Sequence, residues 1–342
     1  MIHRITITTI ALLSLLSAPS MYARPLQDTA EVLTELALAM MLMGDVSAFS
    51  DDAYRSDSSA HLGFKLKPIV FPKPTDDTTR LEVYSGHIVE SSLWYTGERR
   101  RKNGIFNLTH HDMWSAPIID FDSMHIGLAS TAFFDSLGVN TPKHEGYFTI
   151  SGSMFVYTGC DYDMSLGSCD LLICNLADAR PVLWYLPKTV NTKNWESQPS
   201  IDDDLTLFFA SNAMLEDTVM GLYYAVYDSV DKSFRQSVRL PRHVNLTAAC
   251  GAPFVIPGTS LLIYWASNGS TSKPIADFWC TQYTRNNNGE LVFSKPKRLP
   301  PSLRNGGKPI SFSYDRVSRT IIVGLENNDV IEMSYVRLPE SM

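Results

Sequence analysis

From about Leu62 to the end of the chain, hydrophobic positions come in short runs of about five residues, separated by Asn, Asp, Gly and Pro. That spacing predicts strands joined by tight turns. One run recurs in a fixed slot: Leu93-Trp-Tyr-Thr-Gly97, Phe155-Val-Tyr-Thr-Gly159, Leu207-Phe-Phe-Ala-Ser211, Ile263-Tyr-Trp-Ala-Ser267 and Ile321-Ile-Val-Gly-Leu325. The fourth residues of these runs, Thr96, Thr158, Ala210, Ala266 and Gly324, follow one another at intervals of 62, 52, 56 and 58 residues. The unit is therefore repeated.

Other landmarks keep the same beat. Val139-Asn140-Thr141, Val190-Asn191-Thr192 and Val244-Asn245-Leu246 each precede a unit. An aromatic-x-x-Pro edge strand is read in Trp184-Tyr-Leu-Pro187, Trp114-Ser-Ala-Pro117 and Phe293-Ser-Lys-Pro296, with Phe234-Arg-Gln-Ser237 in the same slot. Proline fits an edge strand because its missing N–H would face solvent. A third run, starting at Asp170, Gly221, Asp277 and Asp329, lies between. Four antiparallel strands in about 55 residues predict an all-β fold, a β-propeller of four-stranded blades. Units begin near Arg80, His144, Trp195, Cys250 and Lys308, giving five blades, or six if the polar linker hides a degenerate one. The last unit lacks a fourth strand, which Leu62-Gly-Phe-Lys-Leu-Lys-Pro68 can supply. Such a closure removes an exposed sheet edge.

The N-terminal pattern differs. Residues 1–23 combine a weakly basic start, an apolar run from Ile5 to Ala18 and small residues at Ala18 and Ala23, the layout of a secretory signal peptide. Residues 24–60 predict a short helix, with Leu33, Leu36, Ala37, Met40 and Met41 at helical spacing, followed by a polar linker. The propeller then occupies 61–342. These segments imply a periplasmic or secreted protein without a transmembrane segment in the mature chain.

Composition narrows the chemistry. The 342 residues carry a formal charge of −7, which gives no reason to expect a nucleic-acid partner. The basic run Arg99-Arg100-Arg101-Lys102 reads as a solvated loop. Five cysteines leave at least one unpaired within the chain; Cys160 and Cys169 flank a short polar loop and are the candidate disulfide. His110, His111 and His144 raise the question of a metal, but a loop His pair without a third spaced ligand does not argue for zinc, and neither metal nor cofactor is expected. No Gly-x-Ser-x-Gly nucleophile elbow and no phosphate-binding glycine loop occurs in the sequence.

Pro199-Ser-Ile-Asp-Asp-Asp204-Leu-Thr-Leu-Phe-Phe-Ala-Ser-Asn212 resembles the repeat of TolB-type, WD-like propellers. Val190-Asn-Thr-Lys-Asn-Trp-Glu-Ser-Gln-Pro199 and Val139-Asn-Thr-Pro-Lys-His-Glu-Gly146 resemble the unit's entry in envelope proteins that often carry an OmpA-like domain. The resemblance implies that the Asp202-Asp-Asp204 run is a turn rather than a metal site. It also implies a non-enzymatic scaffold of the bacterial envelope or secreted space, binding a protein or glycan.

Glu82, Glu145 and Glu196 lie 14, 13 and 14 residues before Thr96, Thr158 and Ala210, at equivalent places in three units. With Trp195 they are expected at the channel mouth, as partner-binding residues. Repetition favours an architectural role, because an acid and a base need different environments. The alternative is a five-bladed glycoside hydrolase-like enzyme with Glu82, Glu145 and Glu196 as its carboxylates.

Overall fold

The computed structural model describes residues 64–72, 82–103, 106–213, 220–245, 249–267 and 276–338. The expected signal peptide, N-terminal helix and linker lie outside them. The described residues form five small antiparallel sheets arranged as a five-bladed propeller with little helix. The inner strands are Val83–Val89, His144–Ser151, Glu196–Ile201, Cys250–Val255 and Lys308–Asp315, in blades I to V. In blade V the fourth strand is Lys67–Pro68, paired with Val330–Arg337, so the two ends of the propeller close the ring as the sequence predicts.

Each blade is sandwiched between two others, which explains why its second strand is apolar on both faces. Leu207, Phe208, Phe209 and Ala210 are all buried, alternate residues facing the seams toward blades II and IV. Five buried clusters fill the five seams. Burying each large apolar side chain contributes roughly 1.5–3 kcal/mol, so the seams supply most of the favourable energy of the fold.

The sequence landmarks have physical causes. The buried Asn191 is a clip: its Oδ1 accepts the Leu171 N–H, and its Nδ2 donates to Leu171 O and Leu186 O. Asn245 and Asn140 make the same clip on Leu222 and Met113. Thr96 and Thr158, the fourth residues of their runs, accept N–H groups from the next blade's inner strand, those of Tyr147 and Gln198. Those N–H groups lie at β-bulges, where Tyr147, Gln198 and Ala252 take φ values of 39°, 57° and 44°. The Asp202 run is the inner-strand turn, with Oδ1 accepting the Thr206 N–H.

Two expectations need correcting. Trp114–Pro117 lies on the third strand of blade I, Phe106–Asp120, and not on an edge strand. The basic run is not in a loop but on the second strand, Ser92–Asn103. These two strands, of 12 and 15 residues, form a hairpin longer than its counterparts of 6–8 and 7–10 residues.

Candidate functional site

Rings crowd the central channel. His87 lies 4.7 Å from Phe148 and 5.8 Å from Phe254, whose ring is in turn 5.8 Å from Phe312 (centroid distances). Burial pushes the His87 imidazole down to about 4, so it is neutral at ordinary pH. A small cavity lies against these rings, lined by inner-strand residues of all five blades, among them Ser85, Tyr147, Gln198, Ala252 and Ser311. One mouth is formed where the inner strands begin.

Two of the repeated glutamates do not open onto it. Glu196 is fully buried, and its carboxylate accepts the Thr192 N–H, the Thr192 hydroxyl and the Ser211 hydroxyl, each at 2.8 Å. Glu145 is 1% exposed and accepts the Thr141 hydroxyl at 2.5 Å and the Tyr162 phenol at 2.6 Å, both through Oε1. Burial raises the Glu145 carboxyl to about 7. Each glutamate thus ties a blade's entry loop to its first strand, a local role that explains its repetition. Trp195 is half-buried, packed into the seam between blades III and IV, and its backbone N–H donates to Asn212 Oδ1.

Glu82 is different. It is partly exposed and immediately precedes the first inner strand, where its C=O accepts the Glu98 N–H at 3.1 Å. Glu98 in turn pairs with His111. Directly opposed residues of antiparallel strands project to the same side, so Glu82, Glu98 and His111 form a row across blade I. Tyr84, carried by the bulge between Val83 and Ser85, donates its O–H to Glu82 at 2.8 Å. Burial, and next the hydrogen bond to Glu82, push that phenol far above its ordinary value, so it stays a donor.

Blade II completes the cluster. The His144 ring stands 5.0 Å from that of His111, and its Nδ1 accepts the His111 backbone N–H at 3.3 Å. A neutral His144 therefore carries its ring proton on Nε2. Burial, and next the proximity of His144, lower the His111 pKa, favouring a neutral imidazole that can accept a proton. The histidine pair expected in a loop sits on a strand. Among the described residues no three His, Cys, Asp or Glu side chains gather as a metal site.

Further round the mouth, Tyr147 hydrogen-bonds Gln198, and Gln198 Oε1 accepts the Ala252 N–H at 2.7 Å. The Trp265 indole lies against Gly251 so closely that a Cβ there would come within 2.8 Å of the ring. The mouth thus offers two carboxylates, imidazoles, phenols, an amide and an indole. Sequence reasoning passed over Tyr84, Glu98, Tyr147, Gln198 and Trp265. A signal existed: Tyr84, Tyr147, Gln198 and Ala252 all lie two residues after the repeated glutamate slot, where the units differ.

No protein-family model and no curated relative matches the sequence. Solved structures do resemble the fold. A BT0996–RGII complex matches at 10% identity with a TM-score of 0.51, covering 92% of this chain and 97% of the other. A glycoside hydrolase matches at 10% identity and TM-score 0.48, covering 81% and 95% of the two chains. The Bacillus subtilis arabinanase Arb43A matches at 8% identity and TM-score 0.41, covering 74% and 92%. The glycoside hydrolase and the arabinanase correct the resemblance to TolB-type, WD-like propellers, since they are five-bladed propellers of glycoside hydrolase type. The expectation of a non-enzymatic, protein-binding scaffold goes with it. The physical reason for the error is that strand-turn-strand landmarks report how blades pack, which unrelated propellers share. Among the described residues no helix is long and apolar enough to cross a membrane.

Proposed function

We propose that this chain is a carbohydrate-acting enzyme with glycoside hydrolase chemistry at the propeller mouth. The observation that carries the reading is the row Glu82, Glu98 and His111 on blade I, with Tyr84 and His144 beside it. Glycosidic cleavage uses two carboxyl groups, one protonating the leaving oxygen and one acting as nucleophile or base, about 5–10 Å apart. Opposed residues on paired strands have Cβ atoms about 5 Å apart, which suits such a pair. The Tyr84 phenol orients Glu82. His111 offers a neutral base next to both. Tyr147, Gln198 and Trp265 supply the flat apolar surfaces and amide groups that sugars stack on and hydrogen-bond to.

The test is release of reducing ends from a panel of arabinans, xylans and uronate-containing glycans. Glu82→Gln and Glu98→Gln are each expected to lower kcat by about a hundredfold or more, the scale of general acid–base catalysis. Full activity in both variants, or no turnover of any glycan by the parent protein, overturns the assignment.

Export is part of the same reading. The bond between Cys160 and Cys169 supports an oxidising compartment, as does the leader-like start of the sequence. Fractionation of the producing cell tests it, and a cytosolic location with both thiols reduced contradicts it.

A further inference from the structure

We propose that the cavity beneath the mouth is a subsite for one free hydroxyl group of a sugar unit, with His87 as the residue that reads it. This rests on the carbohydrate reading above and names a feature of its substrate. The inner strands run inward from the mouth, beginning at Val83, His144, Glu196, Cys250 and Lys308. Ser85, Tyr147, Gln198, Ala252 and Ser311 come two or three residues further along and line the cavity on the mouth side. His87, Phe148, Phe254 and Phe312 each stand four residues after their strand's start and line it from below. The cavity has about 20 Å³ of free space. A single water-sized group needs about 10–15 Å³, so one oxygen fits there and a sugar ring does not.

The bonds already made decide what that oxygen would meet. Ser85 Oγ donates to Thr96 Oγ1 at 3.2 Å, and Ser311 Oγ donates to the Tyr84 carbonyl at 2.8 Å. Both serine protons are therefore committed, and each hydroxyl keeps lone pairs to offer. Gln198 Oε1 accepts the Ala252 N–H at 2.7 Å, and the Gln198 side chain also bonds Tyr147. His87 donates a ring N–H to the Phe148 backbone. A neutral imidazole has one donor and one acceptor, so the remaining nitrogen of His87 is an acceptor. Tyr147, on the mouth side, and His87, in the ring layer, are both partly exposed, so a group arriving from the mouth can enter between them. A hydroxyl suits this space because it donates to the imidazole nitrogen. A methylene in its place leaves that acceptor desolvated and unpaired, and a methoxy group is too large. The subsite thus selects a sugar unit that is neither deoxygenated nor substituted at the hydroxyl directed down the channel.

The experiment offers the parent protein galactose, mannose, xylose, arabinose and glucuronate, each beside its singly deoxygenated and singly O-methylated analogues. Binding is read from the ring-nitrogen NMR signals of His87, assigned by their loss in His87→Phe, and as inhibition of turnover for any glycan that is cleaved. A sugar that binds is expected to shift the His87 signals. One deoxy analogue and its matching O-methyl analogue should bind about tenfold or more weakly, and His87→Phe should erase the difference between sugar and deoxy analogue. Where His87→Phe does not fold, the analogue series on the parent protein decides. Binding indifferent to every deoxygenation, or sugar binding that leaves the His87 signals unmoved, overturns the inference. So does a cavity holding only a water that no sugar displaces, which shows as no shift with any sugar. Turnover of a glycan without discrimination among the analogues refutes this inference alone. Discrimination without turnover of any glycan refutes the catalytic reading instead.

Discussion

Glu145→Gln separates architecture from catalysis by its pH dependence. The Glu145 carboxyl is buried, its Oε1 accepts two hydroxyl donors and its Oε2 has no partner. Its ordinary value of 4.5 is raised to about 7 in the fold, with burial the largest cause. The folded state therefore holds a proton that the unfolded chain releases. The resulting stabilisation is complete below pH 4.5, is lost as pH rises to about 7, and does not change further above that. At 1.36 kcal/mol per pH unit, the span between 4.5 and about 7 corresponds to roughly 3 kcal/mol. Glutamine has the same shape and no proton to lose, and its amide oxygen can accept from Thr141 and Tyr162 as Oε1 does. Urea unfolding of both proteins at pH 4, 6 and 8 gives the difference, in which groups common to both largely cancel. The variant should gain about 3 kcal/mol on the parent between pH 4 and pH 8. Parallel stability curves would refute the claim that the buried carboxyl keeps its proton in the fold.

Two further substitutions test the architecture. Glu196→Ala removes the acceptor of three hydrogen bonds and leaves buried donors on Thr192 and Ser211, so stability should fall by about 3 kcal/mol in chemical denaturation while kcat per folded molecule is retained. Asn191→Ala leaves Leu171 N–H and O and Leu186 O without their partner, and should cost about 2–4 kcal/mol by the same measurement.

The fold was legible because a propeller repeats its solution. The buried Asn191 and Asn245 recur since each blade needs its third-strand carbonyls satisfied, and the interval between them carries the period. The closing strand could be read because blade V lacked a partner for Val330–Arg337. The site was less legible for the converse reason. Glu145 and Glu196 drew notice by recurring, and recurrence marked a packing role. Glu82 shares their slot, yet its surroundings come from Glu98 and His111, and a strand register across a long hairpin is not readable from spacing. Nor did periodicity reveal the bulges that carry Tyr84 and Tyr147, because a bulge adds one residue without changing the apolar runs.

The central claim is that catalysis belongs to the blade I row and not to the repeated glutamates. The most direct measurement is kcat on one cleaved glycan for Glu82→Gln and Glu145→Gln side by side, at a pH where both proteins are folded. The account predicts loss of about a hundredfold or more for Glu82→Gln and activity near the parent's for Glu145→Gln. The reverse order, or equal losses in both, contradicts it.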